Sequence, residues 1–500
     1  MCYMLRTQWA KKVQGRVSAL TKALLQQLFL QQRVSEGIRL ALDGEIIRVK
    51  ISFGNLLADE EALTSMWGIK GASGVIPCGV ACSVSNKAHH SDASQGIASL
   101  AERDDQIQDI ACADFDKIGV RNDEDVWGLC DLLATAPKEQ LESLQHETGI
   151  KYEPEGLLFD VPLRSHVRPA SSNTFDIMHV AWSGGVVCLE IALFMVAMKQ
   201  SISAYFAELR SFLVEEGWPV PECFSEQREK NMGDRLKAGA SELIEAYPLL
   251  RRFVIAIYGA DAAEAHVVSL LLLCKILDAV VLWQRHVEPG PAEDLKELVS
   301  CYLKAFVLAH GHARVIPKHH ELMHIVLQII RDALMLNCFA LERKHLETKA
   351  SVANSKSKQA IEATALSRTL NAQVRNLKTA GWVSRLLPPT RAFPELAQHL
   401  GAAQVQISGK MRWRGIAIAN KAVGFLDSSR TILVVVVGCL AVDDRWALLV
   451  RHTAVESRQE HWSTWCVEQS VRHMTLEDTA CFLPGAAHRY LANDRLEVLH

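Results

Sequence analysis

From residue 183 to 380 the apolar side chains recur at helical spacing almost without a break, and beyond residue 405 they do not. Ile202, Tyr205, Phe206, Leu209, Phe212 and Leu213 form one stripe, which Gly217 and Pro219 close. Residues 263–286 are apolar nearly throughout and stop at Pro289-Gly290-Pro291. Leu295, Leu298, Val299, Tyr302, Leu303 and Phe306 mark another helix, and residues 321–336 the next. After a proline-bearing stretch at 386–396 come short β-branched and aromatic runs at 431–438, 446–452 and 461–469, with turns at Asp427-Ser428 and Asp443-Asp444. A chain patterned this way is mixed α and β: a large all-α unit followed by a small C-terminal all-β module, most simply an SH3-like barrel. No repeat of solenoid period is present.

Ahead of the helical stretch, residues 13–34 have helical spacing, and 46–53 alternate as a strand with Ile47, Val49, Ile51 and Phe53 on one face. Residues 83–124 are polar and irregular, with Asp104, Asp105, Asp109, Asp114 and Asp116, and read as a linker; 125–147 are helical again. The expected organisation is therefore 1–82, a linker at 83–124, a helical domain at 125–345, a basic helix at 346–385, a linker at 386–404 and the β module at 405–500. A 49% hydrophobic and 22% charged composition excludes wholesale disorder. The net charge of −3 excludes a globally basic nucleic-acid binder and leaves room for a local basic face. The 13 scattered cysteines read as reduced thiols of an intracellular protein, nuclear or cytoplasmic. No signal segment is evident, and no apolar run approaches the roughly 20 residues that a bilayer requires, so no membrane partner is expected.

Chemistry concentrates at a few places. Asp59 ends the apolar run Leu56-Leu57-Ala58, where an acid can share a divalent metal with other carboxylates or can simply cap the helix that follows. Cys78-x3-Cys82 has zinc-ligand spacing, with His89 and His90 available to complete a site, and an unmetallated structural pair is the alternative. His320-Glu321-Leu322-Met323-His324 matches HExxH, in which two imidazoles on one helical face hold zinc and Glu321 activates water. Glu342 or His345 would then supply the third ligand. Asp176 and His179, three residues apart, either orient a ligand or cap a helix. Between 342 and 378, Arg343, Lys344, Lys349, Lys356, Lys358, Arg368, Arg375 and Lys378 outnumber the glutamates, which suits phosphate contacts or a solvated helix face.

Four stretches resemble, in order, a group of eukaryotic DDE-type transposase-like proteins, the KDZ (Kyakuja–Dileera–Zisupton), Plavaka and CACTA families. They are Lys70-Gly71-Ala72-Ser73-Gly74 running to Pro77-Cys78 and Cys82, then Phe175-Asp176-Ile177-Met178-His179 with Gly184-Gly185, then Pro317-Lys318-His319-His320 with His324, and Phe339-Ala340-Leu341-Glu342-Arg343-Lys344-His345. The resemblance implies an RNase H-like core, incomplete here, interrupted by the helical insertion. It also implies metal-dependent DNA strand cleavage and transfer with magnesium or manganese. Asp59 matches the second acid and Glu342 is the candidate for the third. The first acid is expected upstream, yet the only aspartate there, Asp43, lies in an Asp-Gly turn, and the cysteines are spaced x3 where the family has x2. The expectation is a degenerate, transposable-element-derived pseudoenzyme that binds DNA without sequence preference, with an unidentified partner for the C-terminal module. A zinc metallohydrolase and a non-catalytic interaction protein are the alternatives.

Overall fold

The computed structural model describes residues 12–42, 45–86, 108–199, 201–229, 235–284, 291–339 and shorter stretches between 349 and 499. The architecture is mixed α and β, mostly helical, with an antiparallel sheet at the C-terminal end. The first helix, α1 (Arg16–Leu25), runs into a π-helical turn at Gln26–Gln31. A hairpin follows, β1 (Ile38–Leu42) and β2 (Glu45–Val49), a two-stranded sheet among the described residues. The strand expected at 46–53 is thus shorter and does not bury one face: neighbouring Ile46 and Ile47 are both exposed.

The short strand β3 (Leu56–Ala58) leads into α2 (Glu60–Trp67). Both ends of this helix have local causes. Asp59, in an extended conformation, accepts the Ala62 amide at 2.7 Å, and Gly68 closes the helix with a left-handed φ of 69°. Trp67 is then buried, and its indole N–H donates to Asn173 Oδ1 at 3.0 Å. Asn173 opens β4 (Asn173–Phe175), which runs parallel to β3 with Leu56, Leu57 and Ala58 opposite Asn173, Thr174 and Phe175. A parallel pair needs a crossover, and here it carries α3 (Asp123–Thr135) and α4 (Leu141–Thr148). A reciprocal Asn122–Asp125 capping box starts α3.

The crossover corrects the linker expected at 83–124. Residues 87–107 lie outside the description, but Ile110, Phe115 and Ile118 are buried, and backbone bonds tie Ser83 to Gly119, Ser85 to Gln108 and Arg121 to Ala81. Sparse apolar residues in an irregular chain leave no periodic signal, so burial there is illegible in the sequence.

The helical region follows as α5 (Val186–Lys199), α6 (Ile202–Glu215), α7 (Ala240–Tyr258), α8 (Ala265–Gln284), α9 (Ala292–His310) and α10 (Pro317–Asp332). Two stretches, Met178–Lys199 and Ala265–Gln284, are long and apolar enough to cross a bilayer, contrary to the expectation from run length. Protein covers 72% and 56% of their apolar windows. Within α8 the Asp278 carboxylate accepts from Tyr247 at 2.8 Å and pairs with buried Arg251 at 2.5 Å, so its charge is met by α7. One buried apolar cluster extends from Leu25 to Cys338, so the segments divided at 82 and 124 share a core.

Near the C-terminus a ten-stranded sheet forms, with all its pairings antiparallel; Leu433–Val442 pairs with Arg445–Arg458, which in turn pairs with Trp462–Val467 and Arg472–Thr475. The stretch expected as a linker at 386–404 holds a helix instead: Pro394 opens Pro394–Leu400, and Ala397 packs on Val405 and Leu440. Proline fits the first helical turn because its missing N–H would go unpaired there.

Candidate metal centre

Four donors far apart in sequence converge in the core. After α2, the Lys70-Gly71-Ala72-Ser73-Gly74 segment forms a 3₁₀ turn, and the chain turns again so that the Ala81 and Cys82 amides both donate to the Cys78 carbonyl. That turn sets the two sulfurs side by side. It also presses the backbone against the crossover: a Cβ on Gly79 would lie 2.7 Å from the Gly149 carbonyl oxygen. Arg121, from the stretch ahead of α3, donates to the Gly79 carbonyl and, at 3.0 Å, to that of Thr148, which clamps the cysteine turn in place.

The other two donors come from α10. Pro317 sits at its first position, and residues 320 and 324 fall one turn apart on one face. His320 Nε2 lies 3.1 Å from Cys82 Sγ and 3.0 Å from His324 Nε2. The donor atoms of Cys78, Cys82, His320 and His324 all lie within 4.8 Å of one another, and all four residues are buried. Burial opposes ionisation of the Cys82 thiol, but the Cys78 hydrogen bond and the two histidines outweigh it and hold it well below its usual range. Cys78, which gives that hydrogen bond, is pushed well up, with burial adding to the effect. Burial lowers His324, which keeps its imidazole neutral. His320 Nδ1 is buried without a hydrogen-bond partner among the described residues.

Two sulfurs and two imidazoles converging this way fit a metal such as zinc, which takes sulfur at about 2.3 Å and nitrogen at about 2.0 Å in tetrahedral geometry. The sequence offered these residues as two unrelated candidates, a cysteine pair and an HExxH helix; the structure makes them one four-donor cluster. His89, His90 and His345 lie outside the described residues. Glu321 follows His320 on the same helix. It is buried, and burial together with the nearby Glu60 carboxylate raises it to about 8.

Asp59 and Asp176 emerge one residue past paired positions, from the ends of β3 and β4. Asp59 is half-buried, and its Oδ1 is taken by the α2 cap. Asp176 is fully enclosed. Its Oδ1 accepts the amides of Met178 at 3.1 Å and Cys338 at 2.8 Å, and its Oδ2 lies 2.5 Å from His179 Nδ1. That hydrogen bond raises the His179 imidazole, with Asp176 and Asp59 charges adding and burial opposing. Lys318, in the first turn of α10, donates to the His179 and Gly184 carbonyls. Gly185 must be glycine, since a Cβ would lie 2.3 Å from the Val180 carbonyl oxygen.

Both arrangements hang on one side chain that carried no signal in the sequence. Gln328, on α10, accepts from the Phe175 amide at 2.8 Å and donates to its carbonyl at 3.2 Å, sealing the free edge of β4. Phe175 in turn stacks on His324 at 5.0 Å between centroids. Among the described residues two groups of three or more His, Cys, Asp or Glu donors converge, and neither is a carboxylate cluster suited to magnesium or manganese. Glu342, Arg343, Lys344, Lys356, Lys358, Arg375 and Lys378 lie outside the description; Lys349 and Arg368 are described and exposed. No protein-family model matches the chain, and no curated protein sequence matches it.

Proposed function

We propose that the chain is a transposase-derived DNA-binding protein whose strand-cleavage site is degenerate. The observation that carries this reading is the placement of Asp59 and Asp176 after neighbouring parallel strands, with one pairing register between them. Such strands run about 4.8 Å apart, which brings the two acids to the same end of the pair. Acids so placed are what shared divalent cations require for a phosphodiester displacement. On this reading β3 and β4 are remnants of an RNase H-like sheet, and the C-terminal sheet is an SH3-like module for a protein or nucleic-acid partner. Degeneracy follows from the donor set: among the described residues no cluster of three carboxylates converges there.

Cys78, Cys82, His320 and His324 would hold zinc, and the metal would supply a cross-link between the cysteine turn and α10. A zinc hydrolase fits less well. Four protein donors leave no position for water, whereas catalytic zinc keeps one open. The basic stretch 342–378 would contact phosphates, in the nucleus or cytoplasm, without reading sequence.

The test is duplex DNA binding by the full chain across a salt series. Each neutralised phosphate contributes a slope of about −0.9 in log K against log salt, so five contacts would weaken binding by roughly 500-fold between 50 and 200 mM. A flat dependence, or no binding at low salt, overturns the proposal.

A further inference from the structure

Asp176, His179 and Cys338 form a second convergence of donors, separate from the closed Cys/His cluster, with their ligand atoms all within 4.8 Å of one another. We propose that these three side chains bind a transition-metal cation of the zinc or cobalt class at a site with an open coordination position. The donor set decides the class of cation. One carboxylate, one imidazole and one thiol suit a borderline-soft metal, and sulfur argues against magnesium or calcium.

The burial pattern decides the openness. The Asp176 side chain is 0% exposed and Cys338 is buried, whereas the His179 side chain is 22% exposed. The site therefore has a floor of Asp176 and Cys338 and a mouth at His179. Asp59 lies close enough to act on the His179 charge, with its Oδ1 on the α2 cap. Three protein donors and an open position are the arrangement of exchangeable and catalytic zinc, in contrast to four buried donors.

Without metal, a proton joins Asp176 Oδ2 to His179 Nδ1 across 2.5 Å. The cation takes the place of that proton, which leaves to solvent together with the Cys338 thiol proton. Two bonds of about 2.0 Å at a tetrahedral angle set the oxygen and nitrogen roughly 3.3 Å apart, so the ring and carboxylate must part by less than 1 Å, roughly. His179 lies on a π-helical turn, Met178–Trp182, at the surface end of the pair and can make that shift. The Met178 and Cys338 amides hold Asp176 from its other oxygen, as partners behind a ligating carboxylate commonly do. Because binding releases protons, affinity rises with pH. The proposal does not rest on DNA binding and survives its failure.

Metal counting on the full chain tests it. After zinc saturation and dialysis, plasma mass spectrometry is expected to find two zinc ions per chain. Cys338→Ser, and independently His179→Gln at the half-exposed mouth, should each reduce the count to one. In a cobalt titration, Cys338→Ser should lose the thiolate charge-transfer absorption of one equivalent and keep that of the other. Cys82→Ser should weaken the other band and leave the Cys338 band. A zinc count that neither His179→Gln nor Cys338→Ser lowers by one overturns the proposal. If Cys338→Ser fails to fold, the His179→Gln count decides.

Discussion

The two donor clusters share a wall yet differ in nearly every property that governs a metal site. Phe175 separates them: its ring stacks on His324 of the Cys/His cluster, and the next residue, Asp176, begins the other. The first cluster has four donors, all buried, drawn from a turn and a helix that are 238 residues apart at the Cys82–His320 contact. The second has three donors and a mouth, and two of its members lie three residues apart on one turn. A closed site contributes its binding free energy to folding, because the donors do not meet in the unfolded chain. An open site contributes less to folding and leaves a position for chemistry or exchange. The comparison teaches that donor count and burial, more than donor type, divide structural from exchangeable centres.

The largest effect should come from breaking the closed cluster. Cys82→Ala, or a chelator acting on the zinc proposed there, should remove the link between the cysteine turn and α10. Structural zinc binding in small domains is worth about 10 kcal/mol or more, so the loss here should reach several kcal/mol and lower the melting temperature markedly. Thermal unfolding followed by circular dichroism with and without chelator checks this; superimposable curves would remove the closed cluster from the comparison.

A smaller effect should come from Glu321, next to a metal donor but not part of the cluster. Its folded pKa, about 8, lies above the usual glutamate value of 4.5, so the folded protein binds its proton more tightly than the unfolded chain does. Its contribution is neutral below about pH 4.5 and grows destabilising as pH rises toward 8. Glu321→Gln should therefore stabilise the protein at pH 8 and change little at pH 4 to 5, read as denaturant midpoints at the two pH values. Equal shifts at both would mean that Glu321 is ionised in the fold.

The smallest effect belongs to Asp59, and it separates its capping role from any role at the mouth of the open cluster. Asp59→Ala should cost about 1 kcal/mol through the α2 cap. Asp59→Asn, which still caps, should recover most of that. Metal retention at Cys78, Cys82, His320 and His324 should be unchanged in both, by the same mass-spectrometric count. Zinc loss from Asp59→Asn would show that the two clusters are coupled through β3.

Much of this was legible because it is local. The i, i+4 spacing of His320 and His324 needs only a helix, and the Asp59 cap needs only an acid before Glu60 and Glu61. The apolar stripes of α6 and α9 likewise sit where periodicity placed them. What failed was either too sparse or too distant. Ile110, Phe115 and Ile118 are buried within a polar stretch that has no period. Asp278 stands in a mostly apolar helix, and only the fold brings Arg251 and Tyr247 from α7 to meet it. Cys338 and Gln328 carry no motif, and their roles exist only against β4 and the turn after it.

By itself, then, the sequence determined the class of structure and the donor chemistry. It set a helical body, a β module, two sulfurs at one turn and two imidazoles on one helical face. The tertiary structure alone decided that these donors are one cluster and that Glu321 is enclosed beside Glu60. It also decided that Asp176 follows a strand paired with the one before Asp59. Spacing along a chain fixes which side chains share a face within one element. Which elements meet depends on how hundreds of weak apolar contacts close the core, and only there do residues far apart in sequence acquire a common neighbour.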